Sequence, residues 1–387
     1  MHIYFINYHK FQESSGIHIH FLANELCQLN IPCTVCLPQD VNSVYKFGEV
    51  SYDVITFKKL QKMVAQTPDI FRQEAAIFHA WTPREIVRRL IEPLAEHLGI
   101  PYFVHLEDNE EQLFESHLGV KVSQVDNLSW VRRLRMPKSL IHPATYQRFL
   151  EGASGVTCIM QALESFVPAG VPRMTFWPSC ESDLFSIPSE PSLDIRKKLG
   201  ISHDAVVITY TGNLHAANRN ELQTLYEAVY LLNSSGVDLR LIRCGGTYAR
   251  MDKRIAELAA PYILELGSLP PIDLLHYISA ADILVQPGCP SSFNDYRFPS
   301  KLPMFLASGR PVILPASNIG LQLTDIENCL LLRSGTTQEL VEKLKVLLGD
   351  SEKRYQIGKN GRLFARKNFN WGKSAKALVN FYLAHAV

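Results

Sequence analysis

The run PSKLPMFLASGRPVILP, residues 299–315, holds the start of a helix, its stop and a buried strand within one short stretch. Pro299 and Ser300 are placed to cap a helix running to about Ser308. Gly309 supplies its C-terminal turn, and PVILP reads as a strand buried on both faces. Free N–H groups at such a helix start suit an anion, with Lys301 and Arg297 adding positive charge. The bland alternative is an ordinary capped helix carrying a solvated lysine.

The same helix-and-strand alternation extends in both directions. Upstream, AVVITYTG (205–212), VDLRLIRCGG (237–246) and ADILVQPG (281–288) read as strands, with a helix near 219–234. Downstream come three helical patterns, 337–348, 351–368 and 373–385. The first half repeats the theme: HIYFIN (2–7), PCTVCLP (32–38), AAIFHA (75–80), PYFVHL (101–106) and GVTCIM (155–160) are strand-like. Amphipathic stretches at 17–30 and 83–99 lie between them, the second starting at a proline and ending at a glycine. The Pro/Ser-rich FSIPSEPSLD (185–194) marks a linker. The pattern predicts two doubly wound α/β domains facing across a cleft, where ligands usually bind. The expected limits are 1–188, 189–368 and a final helix, 369–387, returning to the N-terminal domain.

A chain of 387 residues is long enough for two cores, and 47% apolar with 20% charged residues is a globular balance. A net charge of +1 gives no global field for nucleic acid. No apolar run is long enough to cross a membrane, and the N-terminus lacks signal-peptide character, so a cytoplasmic protein is expected. Eight cysteines, mostly in apolar segments, favour buried thiols in a reducing compartment. Cys33 and Cys36 form a CxxC inside a strand, where they point to opposite faces.

With these segments in view, the sequence resembles the retaining glycosyltransferases of the GT-B fold, family 4 and its relatives. The resemblance rests on TYTGNLHAANRNELQTLYEAVYLL (209–232), LGSLPPIDLLHYISAADILVQPG (266–288), the opening stretch and NFNWGKSAKALVNFYL (368–383). Each is weak alone; their order and spacing make the signal specific. It implies GT-B architecture, a nucleotide-sugar donor, and a sugar moved with retention to an acceptor hydroxyl in glycan or glycolipid synthesis. It also implies no cofactor and no metal, the donor diphosphate being met by helix ends and cations.

The chain departs from the family's pattern at several positions. Two family glutamates fall at Tyr296 and Met304, and methionine cannot receive a ribose hydroxyl. The family's arginine and lysine after the donor-domain glycine turn fall at Asn213 and Asn218, leaving Arg219 and Arg243 as nearby cations. On the resemblance, donor contacts are Gly16, Gly212, Asn213, Arg219, Arg243, Asn294, Tyr296, Arg297, Pro299, Ser300 and Lys301. Asn294 and Asp295 read equally as turn formers. Gly16, with Ser14 and Ser15, occupies the place of the family's Gly-rich loop, whose N–H groups approach phosphate.

Glu107 falls where the family has a sugar-contacting histidine, and Asp108 on the following acid. His105, two residues earlier, shares a side with Glu107 if the strand continues. These three are the candidate catalytic residues; the alternative is a solvated acidic loop, EDNEE. Ser15, His18, His79 and Trp81 are candidate acceptor-side residues. His18 and His20, two apart on a helix, do not face each other as a metal pair would, and His20 reads as structural. The basic stretch 130–148 either contacts anionic lipid at the inner membrane face or is a solvated face. Glu181 replaces the family's hinge aspartate. Expected partners are a nucleotide sugar and a glycan, lipid-linked or small-molecule acceptor. A non-catalytic GT-B protein that binds such ligands or scaffolds a partner transferase is the alternative.

Overall fold

Short β-branched and aromatic runs alternate with longer amphipathic ones, and in the computed structural model each becomes one element of a parallel sheet or a helix beside it. The structure describes all residues except 12–13, 128, 130–134, 181, 189 and 387. Two compact units divide the chain. The first comprises Met1–Pro178, Tyr296–Phe298 and Asn370–Val387; the second comprises Ser179–Asp295 and Pro299–Phe369.

In the first unit the strands are β1 (His2–Asn7), β2 (Cys33–Leu37), β3 (Asp53–Thr56), β4 (Ala76–Trp81), β5 (Tyr102–Leu106), β6 (Gly155–Cys158) and β7 (Arg173–Thr175). They pair in the order β3-β2-β1-β4-β5-β6-β7, every neighbour parallel. Its helices include α1 (Ser14–Gln28), α2 (Phe57–Gln66), α3 (Pro68–Gln73), α4 (Glu85–Leu98), α5 (Glu110–Leu118) and α6 (Tyr146–Glu151). Helix α4 starts two residues after its proline and stops, as expected, at Gly99 with φ of 64°.

The second unit carries β8 (Val206–Thr211), β9 (Leu239–Cys244), β10 (Ile263–Gly267), β11 (Ile283–Val285), β12 (Val312–Pro315) and β13 (Leu330–Leu332). Their order is β10-β9-β8-β11-β12-β13, again parallel throughout. Around this sheet stand α7 (Leu193–Lys198), α8 (Arg219–Ser234), α9 (Lys253–Ala259), α10 (Pro271–Ser279), α11 (Leu302–Ala307), α12 (Thr337–Leu348) and α13 (Ser351–Asn368). The last helix, α14 (Trp371–His385), belongs to the first unit. Its Trp371, Ala375, Leu378 and Tyr382 join Ile3, Phe5, Ile19, Leu22 and Phe103 in one core, and the Trp371 ring stacks on Phe21.

The first unit ends at Pro178, ten residues before the limit expected at 188. Two arginines, Arg310 buried and Arg362 half-buried, explain the difference. Arg310 donates to the carbonyls of Pro188 and Glu190 at 2.9 and 3.0 Å, and to those of Ala281 and Ser279 at 2.7 and 3.0 Å. Arg362 donates to the carbonyl of Ile187 at 2.7 Å. The linker is thus bonded into the second unit.

Replacing Arg310 removes the donor shared by four carbonyls, of which that of Ala281 is buried. Arg310→Leu is expected to destabilise the second unit by about 2–4 kcal/mol, read as a lower urea midpoint and faster proteolysis near residues 187–190. An unchanged midpoint would show that these bonds are replaced by water at no cost.

Candidate functional site

In open parallel sheets, ligands collect beyond the carboxyl ends of the strands. In the second unit that edge is shaped by two glycines. Gly212, after β8, has φ of 153°, and Gly245, after β9, has φ of 142°. A Cβ on Gly245 would lie 2.2 Å from the carbonyl oxygen of Gly212, so the two turns meet backbone to backbone. A Cβ on Gly212 would lie 2.5 Å from Nζ of Lys301. With none there, the Lys301 ammonium rests 4.2 Å from the centre of the Tyr210 ring.

Lys301 is itself the N-cap of α11, which begins at Leu302 with no side-chain cap bond. Pro299 and Ser300 therefore do not cap the helix as expected; they precede it, Pro299 buried and Ser300 exposed. Pro303 in the first turn suits that later start. Gly309 does take the left-handed turn expected of it, with φ of 75°.

The remaining donor-side candidates separate into exposed and structural groups. Arg219 is exposed at the first position of α8. Asn213 is exposed and accepts from the N–H of Gly246 at 2.8 Å. Asn218 is buried and donates to the Asn213 carbonyl at 2.8 Å, pinning the loop after β8. Arg243 is fully buried, paired with Glu265 at 2.5 Å and donating to the carbonyls of Gly212 and Gly246 at 3.3 and 3.4 Å. It stands behind the glycine turns as their brace, where sequence placed it among donor contacts. Asn294 is likewise buried; it donates to Glu221 at 2.7 Å and to the Cys289 carbonyl at 2.9 Å, tying its own loop. Tyr296 and Arg297 fall in the first unit, where the Tyr296 ring meets Phe166 edge-on at 5.4 Å.

At the first unit's carboxyl edge, strand register sets Asn7 beside Trp81, Trp81 beside His105 and His105 beside Thr157. All four are buried. Trp81 stacks on His105 at 4.0 Å, and His105 Nδ1 lies 2.8 Å from the Thr157 hydroxyl. Burial pushes His105 down to about 3, so its ring is neutral. His79 is deeper still: Nδ1 bonds the Tyr382 hydroxyl at 2.6 Å and Nε2 bonds Thr157 at 3.1 Å. Both nitrogens are spent, which makes it a core histidine instead of the acceptor-side residue expected. Sequence reasoning missed Thr82, a buried β-branched residue at φ of 78°, a strained setting of the kind that gathers at functional sites. No sequence signal marks it.

The acidic stretch after β5 is not a solvated loop. Glu107 is buried, accepting from the Ser15 hydroxyl and lying 2.7 Å from His18 Nδ1. Burial would raise its carboxyl, but the hydrogen bonds from His18 and Ser15 outweigh that and hold it down to about 2. Ser15 and Gly16 lie in the first turn of α1, not in a preceding loop. Gly16 is required by packing, since a Cβ there would lie 2.9 Å from the Phe11 ring. Glu110 is buried and pairs with Arg84 at 3.0 Å, and the Arg84 guanidinium covers the Tyr8 ring at 4.0 Å. Asp108 is raised to about 7 by burial and by its neighbours Glu110 and Glu107, with Arg84 and Arg297 opposing.

His20 bonds the Tyr52 hydroxyl at 2.9 Å, a structural role as expected. Among the described residues, no group of three or more His, Cys, Asp or Glu side chains could hold a metal ion, and no helix is long and apolar enough to cross a membrane. Arg132, Arg133 and Glu181 lie outside the described residues; Arg135, Lys138 and Arg148 are exposed.

Residues 205–350 match the family described as "Glycosyl transferases group 1". The chain is similar to a D-inositol 3-phosphate glycosyltransferase of Corynebacterium aurimucosum, 25% identical over 217 residues, 53% of this chain and 49% of that one. It thus spans about half the length of the curated relatives it matches. Among solved structures, Anabaena HepE in complex with UDP and glucose superposes with a TM-score of 0.71 at 15% identity, covering 99% of this chain and 100% of that one. Sucrose-phosphate synthase from Thermosynechococcus elongatus gives 0.70 at 17% identity, covering 99% and 98%. The fold is GT-B, as the sequence resemblance implied.

Asp108 provides a pH test. The folded chain keeps its proton to about pH 7, the unfolded chain only to about pH 4. Between these values the folded state binds more protons, so this group lowers stability as pH rises from about 4 to about 7. Asp108→Asn is expected to stabilise the protein more at pH 8 than at pH 5, compared by urea unfolding. Equal gains at both values would mean that the carboxyl is ionised in the fold.

Proposed function

We propose that this protein is a retaining glycosyltransferase that moves a sugar from a nucleotide-sugar donor to an acceptor hydroxyl. The observation that carries the reading is the seat of Lys301: an ammonium laid over Tyr210 at the glycine turn after β8, inside the segment that matches the glycosyltransferase family. A diphosphate at this strand edge would meet Lys301, Arg219 and the N-terminal end of α8, whose N-cap side chain makes no cap bond. HepE, of the same fold, has been solved with UDP and glucose, which supports a nucleotide sugar as ligand here.

In the reaction we propose, the bond from the anomeric carbon to the diphosphate oxygen breaks. The acceptor oxygen bonds the same face of that carbon, and its proton passes to the leaving diphosphate. Lys301 and Arg219 stabilise the charge that develops there, so turnover is expected to persist in a chelator. The acceptor is of the glycan, lipid-linked or small-molecule class, and the work is cytoplasmic, in keeping with eight cysteines and no disulfide among the described residues. A non-catalytic binder of the same ligands is the second reading; it is favoured by Asn218, whose side chain pins a loop and leaves no cation at that position.

Calorimetric titration with UDP, GDP, ADP and their common sugars tests the proposal. One nucleotide is expected to bind at micromolar affinity, and Lys301→Ala to weaken it about tenfold or more. No binding by well-folded protein would overturn the reading. Binding without turnover toward any acceptor would support the non-catalytic alternative.

A further inference from the structure

Ser15, His18 and Glu107 form a group whose bonding fixes a tautomer. An ionised carboxylate only accepts hydrogen bonds. Glu107 Oε2 takes the Ser15 hydroxyl, and Oε1 lies 2.7 Å from His18 Nδ1, so Nδ1 carries the hydrogen. In the neutral imidazole, that leaves the lone pair on His18 Nε2. His18 is 4% exposed, and Nε2 makes no hydrogen bond among the described residues. The nearest aromatic neighbour, Trp371, lies 6.0 Å away at 45° and supplies no bond to that atom.

The surrounding strand edge is short of partners in the same way. Among the described residues, Trp81 Nε1, Thr82 Oγ1, His105 Nε2 and Asn7 Oδ1 are buried with no hydrogen-bond partner. A buried polar atom left so costs about 1–3 kcal/mol, and such groups in a native protein call for a ligand or water. Three of the four lie in one row across β1, β4 and β5, and Thr82 directly follows Trp81. Both donors and acceptors are present, which suits a polyhydroxyl compound and its waters.

We propose that His18 Nε2 receives a hydroxyl of a carbohydrate or polyol bound at this edge, and that Glu107 is a positioning residue acting through His18. The ligand class rests on the glycosyltransferase reading; the pairing rests on geometry alone. Each oxygen of Glu107 already holds a bond from α1 and the carboxylate is buried, whereas the imidazole Nε2 has no bond among the described residues. A lone pair backed by a buried carboxylate accepts an O–H and repels a phosphate oxygen. The hydroxyl read here must therefore be unphosphorylated.

Two measurements test this on the full chain. Nitrogen-15 NMR with ring-labelled histidine, using His18→Asn to assign the signal, should show His18 protonated at Nδ1 and bare at Nε2 at pH 7.5. Glu107→Gln should erode that preference. A wild-type Nε2–H tautomer would overturn the proposal without any substrate being added.

The second measurement is turnover of whichever nucleotide sugar the calorimetry identifies. His18→Asn keeps an amide donor for Glu107 but removes the Nε2 acceptor. It should leave nucleotide affinity and melting temperature unchanged and lower turnover about tenfold or more, with Glu107→Gln falling less. Full turnover in His18→Asn, with Glu107→Gln inactive, would place Glu107 on the ligand and overturn the assignment. A wild type inert toward every nucleotide sugar would sink the transferase reading and the ligand class, while the NMR result would still decide the pairing.

Discussion

The second unit's site depends on a missing carbon atom. Because Gly245 has no Cβ, its backbone closes on the Gly212 carbonyl at a distance no other residue would permit. Arg243 is held in the fold behind this junction, bridging both turns to Glu265. Gly212 in turn leaves room for the Lys301 ammonium over Tyr210. One backbone contact thus places a buried cation that supports the edge and a second cation that faces the strand end. The buried arginine is neutralised by its carboxylate, while the Lys301 ammonium lies over the Tyr210 ring at the strand edge.

The first unit solves a different problem at the same kind of edge. Its polar groups are buried carboxylates, and a buried carboxylate survives ionised only when donors surround it. Glu107 has them from α1, and Glu110 has Arg84. Asp108, half-buried between the two, is raised to about 7. Adjacent acids therefore differ in protonation because different elements reach them. The strained Thr82 and the unpartnered atoms around it add to an edge whose polar groups are incompletely satisfied by the protein itself.

Much of the fold was legible in the pattern of apolar runs. The nine interior strands of the two sheets were all anticipated, and the strands not anticipated, β3, β7, β10 and β13, are the four sheet edges. An interior strand is buried on both faces and shows as a continuous apolar run. An edge strand is short or half-exposed, as the patterns of β3, β7 and β10 are, and leaves no such mark. The three C-terminal helices were legible for the corresponding reason, an apolar stripe of helical period.

The candidate site divides along the same line. Gly212, Lys301 and Glu107 could be singled out from local motifs, because chemistry-bearing residues next to turns and strand ends are visible in one dimension. Whether such a residue faces a ligand or braces the fold could not, and Arg243, His79 and Asn294 proved to be braces. Partners decide that question, and the partners lie far along the chain: Tyr382 for His79, Glu221 for Asn294, His18 for Glu107. Periodicity and turn chemistry are local and can be read in order. A charge's partner, its burial and the tautomer it imposes arise only when the sheet brings distant strand ends together.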